Sequence, residues 1–191
     1  MKILGSFENN VLPTLETERL ILRTRTLDDA VAIFDYAKRP EVSEPAGFPA
    51  VKTLEDEITY LETVYPNNQA MHNMPIGYGI TLKGENRVIG SIDFNRCHSE
   101  GVYEMGYLLH PDFWGQGIVP EAASAIIELG FTVLDLYKIE IGCFGFNQKS
   151  QRVAEKLGFT LEARLRGYKA VDGRRTDDLR YGLLKSEWEE M

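Results

Sequence analysis

The first regular pattern of polar and apolar positions lies at residues 19–24 (Arg-Leu-Ile-Leu-Arg-Thr), where the spacing predicts a half-buried strand. Thr26 and Asp29 then form a helix-starting pair, and Ala30, Ile33, Phe34 and Ala37 recur at helical spacing until Pro40 stops them. Residues 40–49, rich in Pro, Glu and Gly, read as a loop. Thr53 caps a second helix running through Tyr60 and Val64, ended by Tyr65-Pro66-Asn67-Asn68, with irregular chain to Pro75.

Beyond this point the period shortens to two. Residues 76–82, 87–95 and 102–109 are β-rich, and the turns at 83–86 and 98–101 make them an antiparallel meander. After Gly115-Gln116-Gly117, the residues Ala122, Ala125, Ile126, Leu129 and Val133 share one helical face. A fifth strand follows at 138–144, then a short helix at 149–157 stopped by Gly158. Runs at 159–169 and 176–184 form a closing hairpin around Val171-Asp172-Gly173-Arg174. The order β-α-α-β-β-β-α-β-α-β-β predicts an α+β fold. It has a single mixed, mostly antiparallel sheet of about seven strands, flanked by about four helices. One strand–helix–strand unit inside it demands a right-handed crossover. A chain of 191 residues reads as a single domain over 1–191.

Composition narrows the function. At 43% hydrophobic and 26% charged, the chain has the make-up of a globular protein rather than a disordered or fibrous one. A net charge of −8 argues against a general nucleic-acid or membrane-surface binder. The charge is uneven: residues 149–185 carry a net +5 and the remainder −13, which suits an anionic ligand on one side and a cationic substrate on the other. Cys97 and Cys143 are too few for a disulfide framework and read as reduced, buried thiols. His72, His98 and His110 show no metal-ligand spacing, so no metal is expected. No run of about 18 apolar residues occurs, and a cytoplasmic location is the expectation.

Two passages carry chemistry. In Tyr103-Glu104-Met105-Gly106-Tyr107-Leu108-Leu109-His110-Pro111-Asp112-Phe113-Trp114-Gly115-Gln116-Gly117 a strand runs into two glycines that open a helix. Unpaired N–H groups and the positive end of the helix dipole then converge on one spot, a geometry that binds phosphate. Pro120 occupies the place of a third glycine, so the dinucleotide fingerprint fails, and no Gly-Lys-Ser/Thr completes a P-loop. The second passage is Asn147-Gln148-Lys149-Ser150, leading to Glu155-Lys156-Leu157-Gly158-Phe159. Taken alone, Asn147 reads as an Asx-turn and Ser150 as a helix N-cap.

Together these passages resemble the GNAT superfamily of N-acetyltransferases, and most closely its RimJ/RimL-like branch of ribosomal-protein alanine acetyltransferases. Residues 15–23 resemble that branch's opening strand, Trp114-Gly115-Gln116-Gly117 with Glu121-Ala122 its acyl-CoA motif, and Asp177-Asp178 with Tyr181 its closing strand. The family usually has Gln or Arg three residues before the first glycine. Here that residue is Asp112, expected to face solvent.

The resemblance implies an acetyl-CoA-dependent transfer to a primary amine, acetyl-CoA being a co-substrate. It also implies a splayed pair of parallel strands, 102–109 and 138–144, that holds the CoA. The pantetheine would pair with the backbone near Leu108 and Leu109, and the pyrophosphate would meet the N–H groups of Trp114, Gly115, Gln116, Gly117, Ile118 and Val119. A backbone N–H near Leu108 would receive the charge developing on the acyl oxygen. Asn147 would bind the pantetheine, and Ser150 would reach the sulfur as the acid. Glu104, or else Asp177 or Asp178, would be the base. Trp114 is expected to pack the loop, and Cys143 to be core. Met71, His72 and Met74 lie in a loop flanking the acceptor. The acceptor implied is a protein N-terminal α-amine. Alternatives are a polyamine, amino acid or aminoglycoside, or a non-catalytic acyl-CoA-binding module.

Overall fold

The computed structural model describes residues 1–5, 12–67, 77–171 and 173–191. The expected roles of Met71, His72 and Met74 fall outside the described residues, as do Ile76 and the turn residue Asp172. The strands are β1 (Lys2–Leu4), β2 (Thr14–Glu16), β3 (Leu20–Thr24), β4 (Tyr78–Leu82), β5 (Val88–Ser99), β6 (Val102–Leu109), β7 (Lys138–Phe144), β8 (Thr160–Val171) and β9 (Arg174–Leu184). They form one sheet in the order β1-β2-β3-β4-β5-β6-β7-β9-β8. Of the neighbouring pairs, β6 and β7 run parallel and the rest antiparallel.

Nine strands stand where about seven are expected. The two extra ones, β1 and β2, are three residues each and lie at one edge of the sheet, too short to show a period. The opening segment 15–23 is not one strand. It folds back at Thr17–Arg19, so that Leu15 faces Leu22 across β2 and β3. Strand β5 runs four residues further than its apolar pattern, and register shifts near Phe94 and Cys97 turn its end outward. Cys97 is exposed for that reason, against the expectation of burial, while Cys143 is buried.

The helices start where their capping residues stand. Asp29 accepts from the Thr26 N–H (2.8 Å) ahead of a 3₁₀ turn at Leu27–Asp29 and α1 (Ala30–Ala37). Residues 40–49, expected as loop, contain α2 (Pro40–Ser43) and a 3₁₀ turn at Glu44–Ala46. Each begins with a proline in its first positions, where a missing N–H is harmless. Thr53 and Asp56 exchange backbone-to-side-chain bonds of 3.1 and 3.0 Å to open α3 (Leu54–Thr59), which continues through a π-helical turn at Tyr60–Val64. The crossover between β6 and β7 is α4 (Ile118–Thr132). Beyond it come α5 (Gln148–Lys156) and the short α6 (Lys185–Glu189).

Each face of the sheet has its own apolar layer. On one side Ala122, Ile126, Leu129 and Phe131 of α4 pack with Ile92, Phe94, Met105 and Ile139 in the larger core. On the other, Ile33, Tyr36, Leu61 and Tyr65 pack with Val88, and Leu108 and Trp114 close against them. Strand β6 serves both, since alternate side chains leave opposite faces. Tyr103, Met105, Tyr107 and Leu109 join the α4 side, and Leu108 the α1–α3 side.

Candidate active site

The site begins where strand pairing stops. Strands β6 and β7 pair only through Val102–Lys138, Tyr103–Ile139 and Glu104–Glu140, although β6 continues to Leu109 and β7 to Phe144. Beyond Glu104 the two strands separate, because β6 stays in register with β5 and β7 with β9. A cavity of about 1440 Å³ opens in the gap. Groups from both faces of the sheet reach it: Glu104 and Leu108 from one, Tyr107 and Ser150 from the other.

Main-chain polarity in the gap follows from the ladder. The His110 N–H donates to Ile89 O (2.8 Å), and Ser91 stands opposite Leu108. In an antiparallel pair hydrogen-bonding residues alternate, so the Leu108 N–H turns towards β5. The main-chain groups turned into the gap are those of Tyr107 and Leu109. The reading of an N–H near Leu108 therefore moves by one residue.

At the far end of β6 lies the glycine loop. Gly115 and Gly117 both have φ of +76°, a left-handed conformation that side chains disfavour. A Cβ on Gly115 would meet nothing within 4 Å, so its outer side is open to a ligand. Gly117 is the residue before α4, whose first N–H groups have no intrahelical partner. Arg19 holds the loop from outside: Nη1 donates to Gln116 O (2.9 Å), and Nε donates to Glu121 Oε2 (2.6 Å). Glu121 also accepts from Thr17 Oγ1 (2.6 Å) and the Arg19 N–H (2.8 Å). Burial opposes ionisation of Glu121, but these donors win and hold its carboxyl below the usual range.

Trp114 packs the loop as expected. Its Nε1 donates to Leu109 O (2.9 Å), and Lys149 Nζ sits 3.2 Å from the ring centroid. That lysine brings a positive charge next to the glycines. The carboxylate of Asp112 is 77% exposed, as expected, so it does not oppose an anion in the loop. His110 is buried at the start of the loop. Its Nδ1 accepts from the Asp112 N–H (3.2 Å), which leaves the Nε2 proton for Asp35 (3.2 Å).

Asn147 is the N-cap of α5, accepting from the Ser150 N–H (3.1 Å), so Ser150 is not the cap. The Asn147 amide donates to Pro45 O (3.1 Å) and ties α5 to the turn after α2. Ser150 is 7% exposed, and its Oγ lies 2.6 Å from the Tyr107 hydroxyl. Burial pushes the Tyr107 phenol up, so it keeps its proton at neutral pH. Sequence reasoning missed Tyr107. Its signal was its place on the face of β6 opposite Glu104, with α5 above. Cys143 on β7 is also close, but burial pushes its thiol up to about 11, which disfavours the thiolate at neutral pH.

The three candidate bases separate by location. Glu104 lines the cavity, and neither Asp177 nor Asp178 does. Asp177 accepts from Arg164 (2.6 Å) and the Gly167 N–H (2.9 Å), and Asp178 is buried against Arg180 (2.9 Å). Glu104 Oε2 accepts from Arg180 Nη1 (3.1 Å) and lies 2.8 Å from His98 Nε2. On the same face of the sheet, Arg25 is buried and pairs at 2.7 Å with the part-buried Asp93, which stands across from Gly106. Beside them, Glu57 Oε1 has no partner among the described residues.

A parallel pair splayed beside a glycine-opened helix defines an acyl-CoA-dependent transferase fold. The acetyltransferase (GNAT) domain model matches residues 19–160. The chain belongs to the GNAT family, and it is an acetyl-CoA-dependent N-acetyltransferase. The uncharacterized N-acetyltransferase p20 of Bacillus licheniformis is 34% identical over 181 residues, 93% of this chain and 99% of that one. YdaF of Bacillus subtilis (strain 168), provisionally named a ribosomal N-acetyltransferase, is 31% identical over 132 residues, 69% and 72% of the two chains. The solved structure of RimL, a ribosomal L7/L12 α-N-protein acetyltransferase in complex with coenzyme A, superposes with a TM-score of 0.81. It is 21% identical, covering 91% of this chain and 99% of that one. Among the described residues no group of three or more His, Cys, Asp or Glu could hold a metal ion, and no helix is long and apolar enough to cross a membrane.

Proposed function

We propose that the chain acetylates a primary amine, and that this amine is the N-terminal α-amine of a protein. The observation that carries the reading is the gap between β6 and β7, with a glycine loop at its end and a carboxylate and a hydroxyl pair on its two walls. The likeness to YdaF and RimL supports the protein acceptor.

The residues present fit acetyl-CoA, which supplies the acetyl group as a thioester. The main chain of Tyr107 and Leu109 holds the pantetheine, and an N–H of that pair meets the charge developing on the acyl oxygen. Such a donor is worth roughly 10²–10³ in rate. The N–H groups from Gly115 to Val119 and the dipole of α4 take the pyrophosphate. Asn147 orients α5 at the arm. Glu104 Oε1 takes the proton of the incoming amine, and the Ser150–Tyr107 pair delivers a proton to the departing sulfur. A thiolate with a conjugate-acid pKa of about 8.5 leaves readily, so this last contribution is modest.

A small cationic amine is the second reading. It is favoured by Glu57, a buried carboxylate on the cavity wall with one oxygen that has no partner among the described residues. One assay separates the two, the release of free thiol from acetyl-CoA with peptides, polyamines and aminoglycosides as acceptors. Turnover with free-amine peptides and none with their N-blocked forms is expected. Preference for a polyamine over every peptide overturns the protein acceptor.

A further inference from the structure

Glu104 joins the cavity to the surface. Its Oε2 is committed outward, to His98 and Arg180, while Oε1 has no hydrogen-bond partner among the described residues and lies beside Gly142 at the opening of the gap. His98 is on the outward-turned end of β5. It does not line the cavity, and its side chain is 36% exposed. A base enclosed at the bottom of a site must lose its proton before it works again. The imidazole is the side chain best suited to exchange one near neutral pH.

We propose that His98 is a proton relay, passing the proton that Glu104 takes from the acceptor amine to bulk water. This rests on the proposed role of Glu104 as base. The ammonium N–H bond breaks and the proton joins Oε1. While Glu104 is ionised, His98 Nε2–H donates to Oε2. Once the carboxyl is protonated the exposed ring exchanges through solvent to its Nδ1–H tautomer, and a turn about the Cγ–Cδ bond brings the carboxyl proton to the freed Nε2 lone pair. The imidazolium then releases its Nδ1 proton to water, which restores the Nε2–H ring and the ionised carboxylate. No electrons change hands and no other reactant is needed.

The charges around the pair suit this direction of travel. Arg180 from β9 donates to Glu104, and Asp178 fixes that guanidinium (2.9 Å). Glu140 from β7 lies 3.7 Å from His98 Nε2 and is itself held by Lys138 (2.8 Å). Arg96, the cross-strand neighbour of Glu104 on β5, adds a further positive charge. His98 acts through Glu104 and does not touch the substrate.

The test compares wild type, His98→Gln and Glu104→Gln by thiol release across pH, in a dilute non-imidazole buffer and again with imidazole added. Acetyl-CoA affinity is measured alongside to establish that each variant is folded. For His98→Gln the expected result is a fall in kcat of about tenfold or more with affinity retained, the loss being restored by imidazole. Glu104→Gln is expected to stay impaired whatever the buffer. An H98Q enzyme that turns over like wild type overturns the relay while leaving Glu104 as base. An H98Q loss that imidazole does not restore also overturns it, since His98 would then only shape the site. Wild-type turnover by Glu104→Gln overturns the base itself, and the relay with it.

Discussion

The hydroxyl of Tyr107 lies 2.6 Å from Ser150 Oγ, across the gap between β6 and the first turn of α5. Each hydroxyl can donate while the other accepts, so either oxygen can present a proton to a sulfur placed in the gap. Burial keeps the phenol protonated, and the helix fixes the serine. Ser150→Ala and Tyr107→Phe should each lower kcat by about tenfold or more while leaving acetyl-CoA affinity within a few-fold. The double variant should fall little further than the worse single one, because the two act as a unit. Independent, multiplicative losses would show two separate roles, and an unchanged kcat in Ser150→Ala would remove it from the acid.

The glycine loop predicts a binding loss without a folding loss. Gly117→Asp puts a side chain at a left-handed position and a negative charge beside the proposed pyrophosphate site. Calorimetric titration with acetyl-CoA should show no binding, while thermal unfolding shifts by only a few degrees, the strain being about 1–2 kcal/mol. Gly117→Ala carries the same left-handed strain without the charge and serves as the control. If the aspartate variant binds acetyl-CoA like the control, the loop does not hold the pyrophosphate.

How far the sequence anticipates this site depends on the reach of each signal. The glycines, Pro120 and the face of α4 made by Ala122, Ala125, Ile126 and Leu129 are read locally and stand where expected, while Val133, read as part of that face, lies past the helix end and is exposed. Val102–Leu109 and Lys138–Phe144 also match their apolar runs residue for residue. What does not show is anything that needs two distant segments at once. Tyr107 meets Ser150 over 43 positions, and Glu104 meets Arg180 over 76. The fold-back at Thr17–Arg19 is hidden for the same reason, since it is fixed by Glu121, more than 100 residues away. Cys97 misleads because its surroundings look like a continuing strand, whereas register shifts carry that end of β5 off the core.

Glu121 makes the phosphate loop depend on the turn between β2 and β3. Replacing it with Gln removes the charge that holds Arg19 and, through Arg19, Gln116 O. Glu121→Gln should weaken acetyl-CoA binding by roughly tenfold, in keeping with the ~1.5–3 kcal/mol of a charged hydrogen bond, before chemistry is affected. KM for acetyl-CoA should rise with kcat nearly unchanged. A fall in kcat at constant KM would place Glu121 in the reaction instead.

Asp29 offers the acid-stability test. Its carboxylate accepts from both terminal nitrogens of Arg23 (2.8 and 2.7 Å) and from the Thr26 N–H (2.8 Å), with its side chain only 6% exposed. Burial alone would raise its pKa, but the Arg23 and Thr26 hydrogen bonds outweigh that and lower it. A carboxyl with a lowered folded pKa stabilises fully above its unfolded pKa, and that stability is lost as pH falls through the folded value. Asp29→Asn should therefore cost about 1.5–3 kcal/mol in urea unfolding at neutral pH. The gap between variant and wild type should close on acidification, because the native carboxyl becomes neutral too. A gap that stays constant down to the acid limit would mean that shape and capping, not charge, set the value of this residue.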